Sequence, residues 1–240
     1  MEAAYAERYR SLYERHFWWR ARERLLVELL DESVFPRGGQ VLDIGCGEGL
    51  FFNQLARYGR VHGIELDASL VPADSPHRAA IHLGPFDARY APGERFALIT
   101  MLDVLEHLDA PAAALAHART LLAPGGALLI TVPAFRLLWT DHDDWNQHRT
   151  RYTCAELERQ CAGAGLRVER SHYFFHWMFF AKLAARAREQ AFGARRTPAE
   201  VPPALVNRAA YALTRAEHRL FARRPLPFGN SVYALARAAA

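Results

Sequence analysis

Cysteine is scarce in this chain. Cys46, Cys154 and Cys161 are the three in 240 residues, and their spacing matches neither a disulfide framework nor a metal-binding motif. That scarcity predicts a reduced, cytoplasmic setting. No apolar run approaches the roughly eighteen residues of a membrane span. The N-terminal MEAAYAERYR is charged where a secretory signal would carry an apolar core. No G-K-[ST] follows a glycine run, which excludes a P-loop. Lysine is nearly missing, with Lys182 the only one, so positive charge belongs to arginine. It is unevenly placed. Residues 174–240 hold 11 Lys+Arg against 3 Asp+Glu, a net +8, whereas residues 1–173 carry a net −4. The length suffices for one sizeable α/β domain with additions.

What the chain does contain is a glycine-rich turn. Val41–Phe51 reads VLDIGCGEGLF. Val41, Leu42 and Ile44 spell a buried strand, Gly45, Gly47 and Gly49 a turn that lets backbone approach a ligand, and the rest a helix start. Free N–H groups at such a helix start point at the ligand. Units of this kind bind nucleotide cofactors at the carboxyl end of their first strand. A dinucleotide site wants G-x-G-x-x-G/A. Here Leu50 fills the third slot, and the third glycine comes one residue early. Asp43 stands where dinucleotide sites are usually apolar, and a carboxylate there suits a ligand bearing an ammonium group. Cys46 reads as a small buried filler rather than a nucleophile.

The spelling D-x-G-x-G-x-G resembles motif I of the class I S-adenosylmethionine-dependent methyltransferases. The resemblance runs on in order over roughly residues 40–173. VHGIE (Val61–Glu65) reads as a second strand ending in an acid, and FALITM (Phe96–Met101) as a fourth, followed by LDVLEHL (Leu102–Leu108). LLAPGG (Leu121–Gly126) then leads into a fifth strand, ALLITVP (Ala127–Pro133). The resemblance implies an α/β fold: a Rossmann-like, mostly parallel seven-stranded sheet with helices on both faces. It also implies S-adenosylmethionine as cofactor and S-adenosylhomocysteine as product. By position, Asp43 and the Gly45–Gly49 turn, Cys46 included, would hold the methionine part. Glu65, with Leu66 beside it, would hold the ribose, and Leu102 and Asp103 would lie near the methionine end. Many relatives place Gly-Asp after the third strand. This chain has Gly84-Pro85-Phe86-Asp87, so either Asp87 stays near the adenine or Phe86 packs on it.

Acceptor residues should follow the fourth and fifth strands, where ligands collect. His107 is a candidate base, since its pKa lies near neutrality; alternatively Glu106 and His107 only fix the turn. The second segment is Ala134–Tyr152, AFRLLWTDHDDWNQHRTRY. Within the family it resembles a branch with V-P-A-F, L-W, an acidic patch and H-x-R-R-Y, with Thr150 in place of one arginine. His142 and His148 are further candidate bases. Arg149 and Arg151 could hold an acidic acceptor group, with Trp139 and Tyr152 beside them. The other reading is an ordered loop whose acids pair with its arginines. The spacing of Asp141, His142, Asp143 and His148 is not diagnostic of a metal, and no metal site is predicted.

The organisation follows. Residues 1–35 read as a helical preface, with Tyr5, Tyr9, Leu12 and His16 at helical spacing and a second helix over Trp18–Leu30; as in similar methyltransferases it would be a helical cover over the cofactor or acceptor site, or else it packs against the sheet edge. Its aromatic Trp18 and Trp19 are candidate acceptor contacts. Residues 36–173 form the core, and 229–240 its last, antiparallel strand. Between them, 174–228 is an aromatic and basic insertion too long for a bare loop. There Leu205, Ala209, Leu213, Ala216 and Leu220 make an apolar stripe, with Arg208, Arg215, Arg219 and Arg223 off it. Such a helix either lies on an anionic membrane surface or docks on its own domain. The first alternative would make the protein peripheral at the inner membrane face. No nucleic-acid-binding module accompanies the arginines, and no N-P-P-Y-type tetrapeptide follows the fourth strand. The expected activity is O-methylation of a small-molecule, sugar or lipid-linked acceptor. The rivals are an RNA or protein methyltransferase and a non-catalytic cofactor-binding subunit.

Overall fold

The computed structural model describes residues 3–193, 199–222, 224 and 226–239. The side chain of Tyr5 and the whole of Arg223 lie outside the described residues. Two helices open the chain, α1 (Ala3–Arg15) and α2 (Phe17–Glu32). Then come β1 (Gly39–Ile44), α3 (Phe52–Leu55), β2 (Gly59–Glu65), β3 (Ile81–Leu83) and β4 (Phe96–Leu102). The second half holds α4 (Pro111–Leu121), β5 (Leu122–Pro133), α5 (Asp141–Trp145), α6 (Cys154–Gly163) and β6 (Leu166–Phe174). Helices α7 (His176–Phe192) and α8 (Ala204–Phe221) precede the last strand, β7 (Ser231–Ala238).

The seven strands lie in the order β3-β2-β1-β4-β5-β7-β6. All pair in parallel except β7, which is antiparallel to both neighbours. Strand side chains alternate between faces. Leu42, Ile44, Ile99, Met101, Leu128 and Ile130 face Leu115 of α4 and Leu157 of α6. Val41, Leu98 and Leu129 face Leu25, Leu26 and Leu30 of α2. The second expected helix is thus a core layer packed on a sheet face.

The strand order reverses between β1 and β4, so the crevice for a ligand opens at their carboxyl ends. Backbone strain collects at the same edge. Asp103, Phe135 and Phe175 follow β4, β5 and β6, and each has a positive φ, of 58°, 55° and 60°. Non-glycine residues held this way mark sites whose geometry the surroundings impose. The helix expected after the glycine turn is only the one-turn α3, because the chain must re-enter the sheet at Gly59. The turn itself, rather than a long helix, therefore faces the crevice.

Candidate active site

The glycine turn is built for backbone to face a ligand. Gly45, Gly47 and Gly49 have φ of 69°, 54° and 84°, the left-handed region that favours glycine. A Cβ on Gly45 would sit 2.6 Å from Val104 Cγ2, whereas one on Gly47 would meet nothing within 4 Å. The turn is thus closed below by the segment after β4 and open above. Glu65, buried at the end of β2, ties it down: one carboxylate oxygen accepts from Gly47 N–H (2.8 Å) and the other from Asp67 N–H (2.9 Å). Leu66 beside it is exposed. Cys46 packs in the space left by Gly63, and burial pushes its thiol pKa up, as a filler requires. Arg10 of α1 pairs with Glu48 in the same turn, so the N-terminal helix clamps it from outside.

Asp43 lies beneath the turn rather than on its surface. Burial raises its pKa to about 7, against the opposing hydrogen bond from Thr100 Oγ1 at 2.6 Å. Asp103 sits at the open edge. Arg22 of α2 reaches it at 2.7 Å and also donates to Thr131 Oγ1 at 2.9 Å. The Nε of Arg22 is buried without a hydrogen-bond acceptor. Sequence reading missed Arg22; it lies far from the motifs in the chain and meets them only in the fold. Trp18 packs on Phe175 and under the Arg22 guanidinium, and Trp19 packs on Tyr9, so both tryptophans are engaged in packing of the N-terminal helices. An open glycine cradle, a carboxylate at the end of β2 and an arginine with an unused donor fit S-adenosylmethionine. In such a complex backbone would serve the methionine chain, Glu65 the ribose hydroxyls, and Arg22 the carboxylate. Phe86 packs between Tyr90 and His117, while Asp87 is half-buried and paired with Arg89 at 2.6 Å.

Val104, beneath Gly45, leads into the second half of the site. Glu106 is fully buried, and neither carboxylate oxygen receives a hydrogen bond from another residue. Burial, then the charge of Asp103, raises its pKa well above the usual carboxylate range. The His107 and His148 rings meet edge to face at 4.9 Å. One ligand atom from each of Glu106, His107 and His148 lies within 4.8 Å of the others, the one such cluster among the described residues. Burial, aided by His148, lowers the His107 pKa and favours its neutral ring. His148 Nδ1 lies 2.8 Å from Asp143 Oδ1, so Nδ1–H donates to the carboxylate and Nε2 is left as the acceptor.

Asp143 is the hub of the loop after β5. It is fully buried and reached by His148, Arg151 and Lys182. Burial alone would raise its pKa; these partners outweigh that and hold it below the usual range. Arg151 is buried too, bonded to Asp143 (2.7 Å) and Ala134 O (2.8 Å), so it holds the loop instead of an acceptor. Tyr152 is core, its hydroxyl donating to Leu105 O. Arg149 stays exposed, paired with Asp109 at 2.8 Å and donating to His107 O. His142 contacts Asn146, and Trp139 Nε1 donates to Asp144. The loop joins the two sequence readings: Asp143 pairs with Arg151 within it, and His148 is turned toward the segment after β4.

The model of the family described as a methyltransferase domain matches residues 14–171. The chain belongs to that family. Its fold is that of the class I S-adenosylmethionine-dependent methyltransferases. Curated proteins named ubiquinone biosynthesis O-methyltransferase are similar to it. The one from Xanthomonas axonopodis pv. citri (strain 306) is 31% identical over 123 residues, which is 44% of this chain and 47% of that protein. The one from Coxiella burnetii (strain RSA 493 / Nine Mile phase I) is 28% identical over 112 residues, 44% and 48%. The chain spans about half the length of the curated relatives it matches. Among solved structures, magnesium protoporphyrin IX methyltransferase from Synechocystis PCC 6803 with bound SAH superposes with a TM-score of 0.54 at 18% identity, covering 71% of this chain and 88% of that one. An S-adenosylmethionine-dependent methyltransferase from Archaeoglobus fulgidus gives 0.53 at 16%, covering 89% and 93%. No described helix is long and apolar enough to cross a membrane.

Proposed function

We propose that the protein transfers a methyl group from S-adenosylmethionine to a hydroxyl oxygen of a small or lipid-linked acceptor. The observation that supports this is a glycine cradle running, through Val104, toward a histidine oriented by a buried carboxylate. When bound, the cofactor supplies an activated methyl on sulfonium. Gly45, Gly47, Gly49, Glu65 and Arg22 would hold it, and α1 and α2 would keep water away. His148 Nε2 takes the hydroxyl proton while Asp143 steadies the imidazolium, a base oriented by a third group. His107, kept neutral by its surroundings, shares that face. An oxygen target fits the relatives' names, and phenolic hydroxyls, with pKa about 10, need such a base. A lipid-linked acceptor fits too, because the insertion over this end of the sheet carries an outward apolar face.

The test separates cofactor from acceptor chemistry. His148→Ala should lower kcat by about 10²–10⁴-fold while leaving S-adenosylhomocysteine affinity, read by calorimetry, unchanged. Tritium transfer that yields only nitrogen- or carbon-methylated products would overturn the oxygen assignment.

The unpartnered Glu106 favours a second reading of the same cluster, a divalent cation held by Glu106, His107 and His148. Asp143 would then be the carboxylate behind a ligating histidine. Calorimetric titration with Mn²⁺ and Mg²⁺ of the wild type and of Glu106→Gln distinguishes the two. Cation binding lost in the variant selects the metal; none in the wild type leaves the base.

A further inference from the structure

Helix α8 is mounted inside out. Its buried residues are polar: Thr214, Arg215 and Glu217. Arg215 pairs with Glu28 of α2, at 2.6 Å, and His218 reaches the same carboxylate at 3.4 Å. Glu217 accepts the backbone N–H groups of His176 and Trp177, capping the start of α7. Thr214 Oγ1 accepts from Trp177 Nε1. Asn207 accepts the N–H of Phe17 and donates to Arg15 O, joining α1 to α2. Thus the polar face of the helix is used up on its own protein. The apolar stripe faces out instead. Leu205 is 80% exposed, Leu213 51% and Leu220 71%, with exposed Ala209 and Ala216 between them and Val206 beside. A helix docked on its own core shows the reverse arrangement.

Charge says what covers this face. Arg208 and Arg219 of α8 are exposed, as is Arg224 just beyond it. The one acid of α8, Glu217, is buried facing the protein. An apolar stripe flanked by arginines and free of acids complements an anionic lipid headgroup layer, with leucines entering the acyl boundary. A second copy fits less well, because a two-fold axis through α8 sets arginine against arginine.

We infer that the outward face of α8 docks the protein on an anionic bilayer surface. Docking there would bring the acceptor side to the lipid. Helix α7, whose start α8 caps, lies on the loop after β5 through Lys182 to Asp143 and through Arg186, which donates to the carbonyls of Leu137 and Trp139. Phe180 and Phe192 of α7 and Leu137 of that loop are exposed as well. The inference deepens the lipid-linked form of the proposed reaction but stands on α8 alone.

Sedimentation of the full chain with phosphatidylglycerol/phosphatidylcholine vesicles tests it, with pure phosphatidylcholine as control. The wild type should partition onto the anionic vesicles and lose affinity as salt rises. Arg208→Glu with Arg219→Glu should weaken partitioning about twentyfold or more. Leu213→Glu with Leu220→Glu, both at exposed positions, should weaken it similarly without lowering the melting temperature. No partitioning at low salt, or equal partitioning of all variants, overturns the proposal. So does a wild type that sediments as a dimer and is dispersed by the leucine pair, which assigns the face to a second copy. S-adenosylhomocysteine binding, measured on the same samples, reports on the methyltransferase reading independently.

Discussion

Asp43 holds its proton to a higher pH than an exposed aspartate does, because burial penalises its charged form. Native protein binds that proton more tightly than unfolded chain, so folding stability should fall as pH rises from about 4 to about 7. Asp43→Asn should flatten this slope, measured by urea unfolding at pH 5 and pH 7.5. At Gly45, Gly45→Ala forces a Cβ within 2.6 Å of Val104 Cγ2 at a φ of 69°, and cofactor binding should be lost or weakened more than tenfold. These residues were legible because the glycines, Asp43 and Glu65 lie in contiguous motifs. Arg22 was not, since nothing in the local pattern of α2 sets it apart from that helix's other arginines. Its role comes from meeting Asp103 and Thr131 across the fold.

Among elements, the loop after β5 depends on one carboxylate. Asp143→Ala leaves Arg151 and Lys182 half-buried or buried without their counter-charge, and should cost about 3–5 kcal/mol, read as a lowered melting temperature. The wild-type contribution of Asp143 has the opposite pH sense to that of Asp43. Its depressed pKa makes it stabilising at neutral pH and lost in strong acid. The sequence showed an acidic and basic loop but not which acid was the hub, because charge alternation carries no depth. Helix α8 makes the same point about orientation. Its apolar period was plain in the sequence, yet a period fixes a stripe and not the side on which the protein lies. The polar partners on α2 and α7 decide that. The shortness of α3 was hidden as well, since a glycine motif announces a helix start but the distance to β2 sets its end.

For the whole molecule, the strand order and the family motifs agree, and the antiparallel last strand followed from the family resemblance, which SVYALA (Ser231–Ala236) fits. Ligand should stabilise this architecture as a unit. S-adenosylhomocysteine at about 100 times its Kd adds about 2.7 kcal/mol, an upward shift in melting temperature that Glu65→Ala should abolish. One feature gives a direct view of how the insertion moves. Lys182, the sole lysine, is packed against Asp143 beneath α7, and burial lowers its pKa. With 19% of its side chain exposed, it should be acylated slowly while α7 stays docked and faster whenever α7 lifts. The rate of its labelling, followed by mass spectrometry, is therefore a built-in clock for the opening of the acceptor mouth.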